Sequence, residues 1–512
     1  MIIILIAFVL LILFFLLYLV GGIGKQSLAE PSYALPIEKH TTPLDIIMQA
    51  KLDKHPGESC LMLLQNNVDA FAMRAITAFE AGRSLDLQYY LWHDDLTGKL
   101  LGSEILAAAE RGVRVRLLID DMNVRNNSLL LRALNAHRNI NVRLFNPICI
   151  RRNRLMRIAE MLLSLFSINR RMHNKAWIVD GRIAIVGGRN IGDEYFDAAA
   201  KRNFFDADLF VGGVAVNDAV AIFDNFWNSQ VAVPLEVFFH QQSDKFADHL
   251  NKMDTVKASQ AAKPYLQTLL ETPSVNALFD GNWEIHWTKN VFILSDPPEK
   301  ILNQRQSEWL FAKVKPILSE VKEKINLISP YFVPGKIGMR ALLAACKKNI
   351  DISILTNSLA ATDVLLVHGG YQHYRKQLLM MGIHLYELKP FGKTERTLLG
   401  SKGASLHTRA CLIDNRIGFI GSFNLDQRSA MLNTEMGVLF EEIALTKVLQ
   451  NAFIIHSSTL YSYKLLLIED KIRWQDISEE EVACFWDDEP QTRWWQRVVA
   501  KIISYLPLDS QL

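Results

Sequence analysis

The sequence predicts an α/β fold of two similar lobes related by pseudo-two-fold symmetry. Each lobe is a mixed sheet flanked by helices, and an apolar transmembrane helix precedes them. Three observations predict this. An 18-residue cassette occurs twice, 234 positions apart, with seven identities between HNKAWIVDGRIAIVGGRN (173–190) and HTRACLIDNRIGFIGSFN (407–424). Each copy follows a strand–helix–strand pattern, which suits a parallel or mixed sheet. Finally, Met1 to Val20 is apolar or aromatic throughout, and the first charge is Lys25.

The elements follow in chain order. Residues 1–24 are uncharged and, at 1.5 Å per residue, long enough to cross a hydrocarbon core of about 30 Å. No Lys or Arg precedes the run, which favours an uncleaved anchor over a cleaved signal. Residues 25–58 form a polar linker or surface strap with Pro31, Pro36, Pro43 and Pro56. The first lobe, 59–243, opens on an aromatic-rich strand, Leu85 to Trp92. A helix follows over Ser103 to Arg111, stopped by Gly112, and then an alternating strand, Val113 to Ile119. Residues 244–300 lack the repeat and read as the connection between lobes, with a helical stretch and a strand near Trp283 to Leu294. The second lobe, 301–470, repeats the programme: strand Ile325 to Val333, helix Ile337 to Lys347, strand Ile350 to Leu355. Residues 471–512 form a tail carrying an amphipathic helix. A duplication of this size implies a two-fold-like arrangement of the halves.

Composition narrows the function. Lys plus Arg is 56 and Asp plus Glu is 54, a formal charge of +2. That excludes a protein that coats nucleic acid through bulk basicity. A mean hydropathy of +0.09 excludes a bundle of many membrane spans. The five cysteines, Cys60, Cys149, Cys346, Cys411 and Cys484, show no metal-ligand spacing and read as ordinary thiols in a reducing compartment. No metal or cofactor signature is present.

The cassette carries the chemistry. His173 and Lys175 are two apart, so an extended chain presents both on one face. Asp180-Gly181 is a two-residue hairpin signal. Gly187 and Gly188 permit close approach, and Asn190 returns towards His173. The second copy repeats this with His407, Arg409, the Asp414-Asn415 turn, Gly421, Ser422 and Asn424. Two facing hairpins assemble two imidazoles, two cations and two amides, a set suited to a phosphodiester. The cations neutralise non-bridging oxygens. One His attacks phosphorus, and the other protonates the departing alcohol and then deprotonates its replacement. Each His needs an orienting carboxylate. Asp208 and Glu435, which begin apolar runs after their cassettes, are the candidates. Asp180 and Asp414, at the turns, read as framework.

HxKxxxxD followed by GGxN or GSxN, twice in one chain, resembles the phospholipase D superfamily over most of residues 60–470. The stretches Asn169 to Lys175, Gly187 to Phe196 and Leu506 to Asp509 resemble, more narrowly, bacterial cardiolipin synthases of the class C type. The resemblance implies two phospholipase D-like lobes with one active site at their interface. Its catalytic motif covers His173, Lys175, Asp180, Asn190, His407, Arg409, Asp414 and Asn424. It implies a phosphohistidine on His173, with His407 as acid then base, and phosphatidyl transfer to phosphatidylglycerol. Arg409 departs from the family's Lys.

Lipid and nucleic acid are rival phosphodiesters. Residues 151–171 hold six Arg and one Glu around an apolar middle, suited to an anionic lipid surface. Residues 493–506 alternate Trp494, Trp495, Val498, Ile502 and Tyr505 with Arg493, Arg497 and Lys501. The expectation is therefore a membrane-anchored phosphatidyltransferase that makes cardiolipin from phosphatidylglycerol and a second phospholipid. Its substrates are phospholipids, it needs no cofactor and no nucleic acid, and no partner protein is identifiable. It is placed at the cell (inner) membrane by a single amino-terminal anchor, with the catalytic domain cytoplasmic. The alternatives are a phospholipase D hydrolase, a metal-independent nuclease, or a catalytically silent lipid-binding scaffold.

Overall fold

A computed structural model describes residues 29–38, 40–148, 169–200, 202–239, 244–279, 281–390, 404–477 and 482–505. Two large sheets dominate it. The nine-stranded first sheet runs, edge to edge, His286–Thr288, Ser59–Leu64, Asp208–Gly213, Ile183–Gly187, Ala176–Val179, Ser84–Tyr89, Arg114–Asp120, Ile140–Phe145 and Ala232–Pro234. The ten-stranded second sheet runs Val291–Ser295, Met436–Glu441, Ile417–Gly421, Ala410–Ile413, Lys324–Ile328, Asp351–Asn357, His384–Leu388, Ser462–Ile468, Lys471–Ile477 and Ala483–Trp486.

The two share one programme. In each, the cassette hairpin pairs antiparallel with the first strand of a three-strand parallel block. On its other side it pairs antiparallel with the strand that follows the cassette. The parallel blocks are linked by helices such as Leu96–Glu110 and Gly335–Cys346. The first of these starts seven residues before the expected Ser103, because Asp95 caps it by accepting from the Gly98 amide at 3.0 Å. Residues 286–295 hold the sheets together: His286–Thr288 adds an edge strand to the first, and Val291–Ser295 adds one to the second.

Three apolar cores result. One fills the first lobe's outer face and another the second lobe's outer face. The third lies between the sheets, where Ile178, Val186 and Leu209 meet Leu412, Ile420 and Val438. The strands alternate accordingly, one residue to the outer core and the next to the inter-lobe core.

The hairpin turns have the backbone that their residues predict. Asp180 and Gly181 have φ of 53° and 68°, and Asp414 and Asn415 have 50° and 53°. Positive φ at both central positions is the type I′ requirement. Each Asp carboxylate then accepts three backbone amides at the start of the neighbouring central strand. Asp180 takes those of Gly82, Arg83 and Ser84 at 3.0, 2.7 and 2.8 Å. Asp414 takes those of Lys322, Glu323 and Lys324 at 3.0, 2.9 and 2.9 Å. Burial raises the Asp414 carboxyl, but these amides outweigh it and hold it below the usual range.

One part of the predicted architecture is corrected. Among the described residues, no helix is long and apolar enough to cross a membrane. The longest, Leu365–Met380, has 16 residues and carries His368, Arg375 and Lys376; at 1.5 Å per residue it falls short of a hydrocarbon core of about 30 Å. The expected helix over 1–24 lies outside the described residues, as do 151–168 of the basic stretch, residues 506–509 and Cys149. Residues further on cross the first lobe: the Ser32 and Ala34 amides donate to Asn228 and Asp224 at 2.9 Å each. Helix Pro43–Leu52 follows, and its buried Asp45 pairs with Arg83 and Arg182 at 2.5 and 2.6 Å. Cys60, Cys346, Cys411 and Cys484 are free thiols.

Asp180 is fully buried and Asp414 only half-buried. Asp180→Ala should therefore lose about 3 kcal/mol of stability and Asp414→Ala about 1 kcal/mol, read as shifts of the urea midpoint. Equal, negligible shifts would mean that the turns do not hold the central strands.

Candidate active site

Each cassette histidine lies just ahead of its hairpin strand, in an extended lead-in docked on the opposite lobe. The His173 amide donates to the carbonyl of Thr434 at 2.8 Å, and the His407 amide to that of Phe205 at 2.7 Å. The residue after each of these carbonyls is a carboxylate. His173 Nδ1 lies 2.8 Å from Glu435 Oε2, and His407 Nδ1 lies 2.6 Å from Asp206 Oδ2. The lobes thus exchange partners: each imidazole is held by the other lobe's backbone and the other lobe's acid. Short parallel pairings support the crossing, Asn203–Phe205 with Ala404–Leu406 and Met172 with Thr434.

The tautomer of His173 follows from its contacts. Nδ1 also lies 3.1 Å from the carbonyl oxygen of Ser422, which can only accept. Nδ1 therefore carries the proton, and the Nε2 lone pair is available to an electrophile.

The cations occupy equivalent places. Lys175 Nζ donates to the carbonyl of His173 at 2.8 Å, and Arg409 Nη1 to that of His407 at 2.5 Å. Arg409 also lies along the His407 ring, with Nη2 3.2 Å from Nε2, and its Nε donates to Asn424 Oδ1 at 2.7 Å. Asn190 is placed differently. Its Oδ1 accepts the Leu91 amide at 3.2 Å, and its Nδ2 donates to the Tyr195 hydroxyl at 2.9 Å. Tyr195 in turn stands edge-on to His407, ring centres 5.2 Å apart.

The small residues make room for the acids. A Cβ on Gly188 would fall 2.2 Å from Asp206 Oδ1, and one on Gly421 2.3 Å from the Met436 carbonyl. At the position matching Gly188, the Ser422 hydroxyl donates to Glu435 at 2.5 Å and accepts the Met436 amide at 3.0 Å.

Asp208 is not brought to either imidazole, which corrects its reading as an orienting carboxylate. It pairs with Arg74 at 2.8 Å and with Arg189 at 3.2 Å, all three groups fully buried. Burial raises its pKa, but the two guanidiniums outweigh that and hold it low. Strand register explains the misassignment. Asp208 faces Gly187, and the residue facing Gly421 is Gly437, so the counterpart of Glu435 is Asp206. Asp180 and Asp414 are likewise kept from the centre by their turn amides. The pattern also missed Arg189, which donates to the carbonyls of Leu64, Gln65 and Asp206 at 2.8, 2.8 and 2.5 Å and so fixes the lead-in to Asp206. It missed Asp296, which accepts the Glu435 amide and the Lys300 ammonium at 2.8 and 2.9 Å. An Arg following the Gly187-Gly188 pair was the only available hint of the first.

The electrostatics suit an anionic guest. Burial, then Lys175, Arg409 and His407, hold His173 well below the usual histidine value. Burial and Arg409 lower His407 too, but Asp206 opposes them. Burial and Arg409 depress Lys175 strongly. Burial pushes Glu435 up to about 7 against the opposing pull of Lys175. Burial and mutual repulsion thus disfavour charge on His173, Lys175 and His407, and a phosphate held between them would favour it again. Among the described residues, one other group, His93, Asp95 and Glu194, has ligand atoms within 4.8 Å of one another and could hold a metal ion.

The comparisons with known proteins agree with this geometry. The family described as "Cardiolipin synthase, PLD-like domain" matches residues 76–227 and 314–456. Cardiolipin synthase C of Escherichia coli K12 is 39% identical over 462 residues, covering 89% of this chain and 97% of that protein. A cardiolipin synthase of Staphylococcus aureus Mu50 is 26% identical over 373 residues, 72% of this chain and 61% of that one. Among solved structures, phosphatidylserine synthase of Haemophilus influenzae Rd KW20 superposes with a TM-score of 0.57 at 12% identity, covering 88% of this chain and 95% of that one. The chain belongs to the phospholipase D-like family of cardiolipin synthases.

Proposed function

We propose that this chain is a phosphatidyltransferase that makes cardiolipin through a phosphohistidine on His173. The observation that carries the reading is the exchanged pair His173–Glu435 and His407–Asp206 beside Lys175 and Arg409. Lys175 and Arg409 hold the non-bridging oxygens of a phosphatidyl donor. His173 Nε2 attacks phosphorus, and the bond from phosphorus to the head-group oxygen breaks as His407 gives that oxygen a proton. His407, now neutral, takes the proton from a hydroxyl of phosphatidylglycerol. That oxygen attacks phosphorus, the N–P bond breaks, and His173 is regenerated. Asp206, 2.6 Å from His407 Nδ1, orients that ring for its turn as the acid. The low His173 value keeps the nucleophile neutral. With water as the acceptor the same steps become hydrolysis.

The lipid substrate requires a membrane surface, and the carboxy-terminal helix Trp494–Ser504 suits one. Ala500 and Ile503 are buried, and Ile503 packs on helix Leu365–Met380 at Gly369. Trp494, Val498, Ile502 and Tyr505 face outward, 71%, 46%, 56% and 76% exposed, with Arg493 and Lys501 among them. An apolar stripe with basic neighbours on a docked helix is an interfacial design.

Lipid mass spectrometry of cells lacking cardiolipin should show the lipid restored by this chain. His173→Ala and His407→Ala should each reduce it by at least about a thousandfold; restoration by either variant would end the two-histidine scheme.

Turnover should rise with pH through about 7 as Glu435 ionises and accepts the Nδ1 proton of His173 more strongly. Glu435→Gln should flatten that limb at a lower plateau. Because the folded value lies above the ordinary 4.5, the wild type should also lose stability as pH rises from 4.5 to about 7, and the variant should not. Identical profiles would contradict the role of Glu435.

Trp494→Ser with Ile502→Ser should weaken binding to phosphatidylglycerol vesicles by about tenfold or more. Unchanged flotation would remove this helix from the membrane contact.

A further inference from the structure

An apolar groove opens between helix Leu310–Ser319 and the outer face of the second sheet, with ≈ 680 Å³ free of protein atoms, open mouth included. Its floor is one register row: Leu327 pairs with Cys411, Cys411 with Phe419, and Phe419 with Leu439. Directly paired residues point to one face of a sheet, so the row forms a continuous hydrocarbon surface. Its roof is the helix, and only Leu310 of that helix is buried. Val314 and Leu318, one and two turns on, remain half-buried although they face the row. The helix packs at Leu310 and again at Ile317 and Leu318, and the groove opens beside Val314 between them.

The groove ends against Arg409, whose guanidinium turns away to Asn424 and His407. Of its 14 lining residues, Arg409 alone is charged. Alternation along the strand puts Arg409, Cys411 and Ile413 on one face. The strand thus leads from the guanidinium to the far end of the groove, about 13 Å at 3.3 Å per residue. Arg409 is tied there to Asn424, whose neighbours Phe423 and Leu425 also line the groove. An apolar groove open to water is a surface that a hydrocarbon chain covers favourably. One residue, Arg409, thus borders the groove and reaches the reaction centre with its guanidinium, a placement that matches a molecule with a phosphate at one end and a hydrocarbon chain at the other.

We infer that this groove binds one acyl chain of the glycerophospholipid whose phosphate is held at Arg409. The inference rests on the phosphatidyl-transfer reading above and adds to it a site that measures chain length. The helix acts as a loose clasp over the chain, and water is kept from the side of the centre where Arg409 lies.

The test compares kcat/KM for dioleoyl- and dihexanoyl-phosphatidylglycerol in the same mixed micelles. The wild type should prefer the long chain. Val314→Trp, which fills the groove from a half-buried helix position, should lower the long-to-short ratio by about tenfold or more, since each sequestered methylene is worth about fourfold. Lys315→Trp, on the exposed side of the same helix, should leave the ratio unchanged. An unaltered ratio in a Val314→Trp variant of normal melting temperature would overturn the inference.

A second readout needs no turnover. Phosphatidylglycerol with a diazirine on its acyl chain should label peptides containing Leu318, Cys411 or Phe419, and Val314→Trp should suppress that labelling. Labels confined to other surfaces, the carboxy-terminal helix included, would overturn the site. Groove labelling without turnover of either lipid would support the chain site while sinking the transferase reading.

Discussion

The structure depends on a crossing of partners between its lobes. Neither histidine is completed by its own half of the chain. His173 takes its backbone acceptor and its acid from Thr434 and Glu435, and His407 takes them from Phe205 and Asp206. An imidazole needs a fixed tautomer and a fixed direction to act on phosphorus, and here both come from across the interface. The duplicated sheets are the means. Because strand order and direction match in the two lobes, the same local geometry is delivered twice, each copy facing the other.

That arrangement sets a demand on the surroundings. Burying two imidazoles, Lys175 and Arg409 together makes a centre where charge on His173, Lys175 and His407 is disfavoured. The anions nearby are held by separate devices so that they do not collapse onto it. Asp208 is consumed by Arg74 and Arg189, and Asp180 and Asp414 by backbone amides. Asp296 holds the backbone of Glu435 from behind. The acids that do reach the centre are Glu435 and Asp206, one on each imidazole, and the donors beside them, Lys175 and Arg409, suit the oxygens of a phosphodiester. The proposed chain groove beside Arg409 and the proposed membrane contact of helix Trp494–Ser504 would extend the same logic to the lipid's hydrocarbon and to its surface.

Much of this was legible in the residues, for identifiable reasons. The 18-residue repeat announced two lobes, and the Asp-Gly and Asp-Asn pairs announced hairpins, because only special backbone angles suit such turns. The histidines and cations were legible because short-range alternation places them. The carboxylates were harder. Cassette residues match at an offset of 234 positions, but Asp206 and Glu435 match at 229, since the loop after the cassette is shorter in the second lobe. Asp208 begins the apolar run and so looked equivalent to Glu435; only strand register separates them. Which lobe supplies which acid is a long-range fact that no local pattern carries. The apolar run at 1–24 predicted a membrane helix; it lies outside the described residues, and no described helix is long and apolar enough to cross a membrane.

The crossing itself can be read at the nitrogen atoms. In ¹⁵N-histidine NMR of the whole chain, Asp206→Asn should shift the ring nitrogens of His407 and leave those of His173 in the Nδ1-protonated form. Glu435→Gln should do the reverse. If Asp206→Asn instead perturbs His173, or if Asp208→Asn perturbs His407 as strongly as Asp206→Asn does, the exchange of carboxylates between lobes is contradicted.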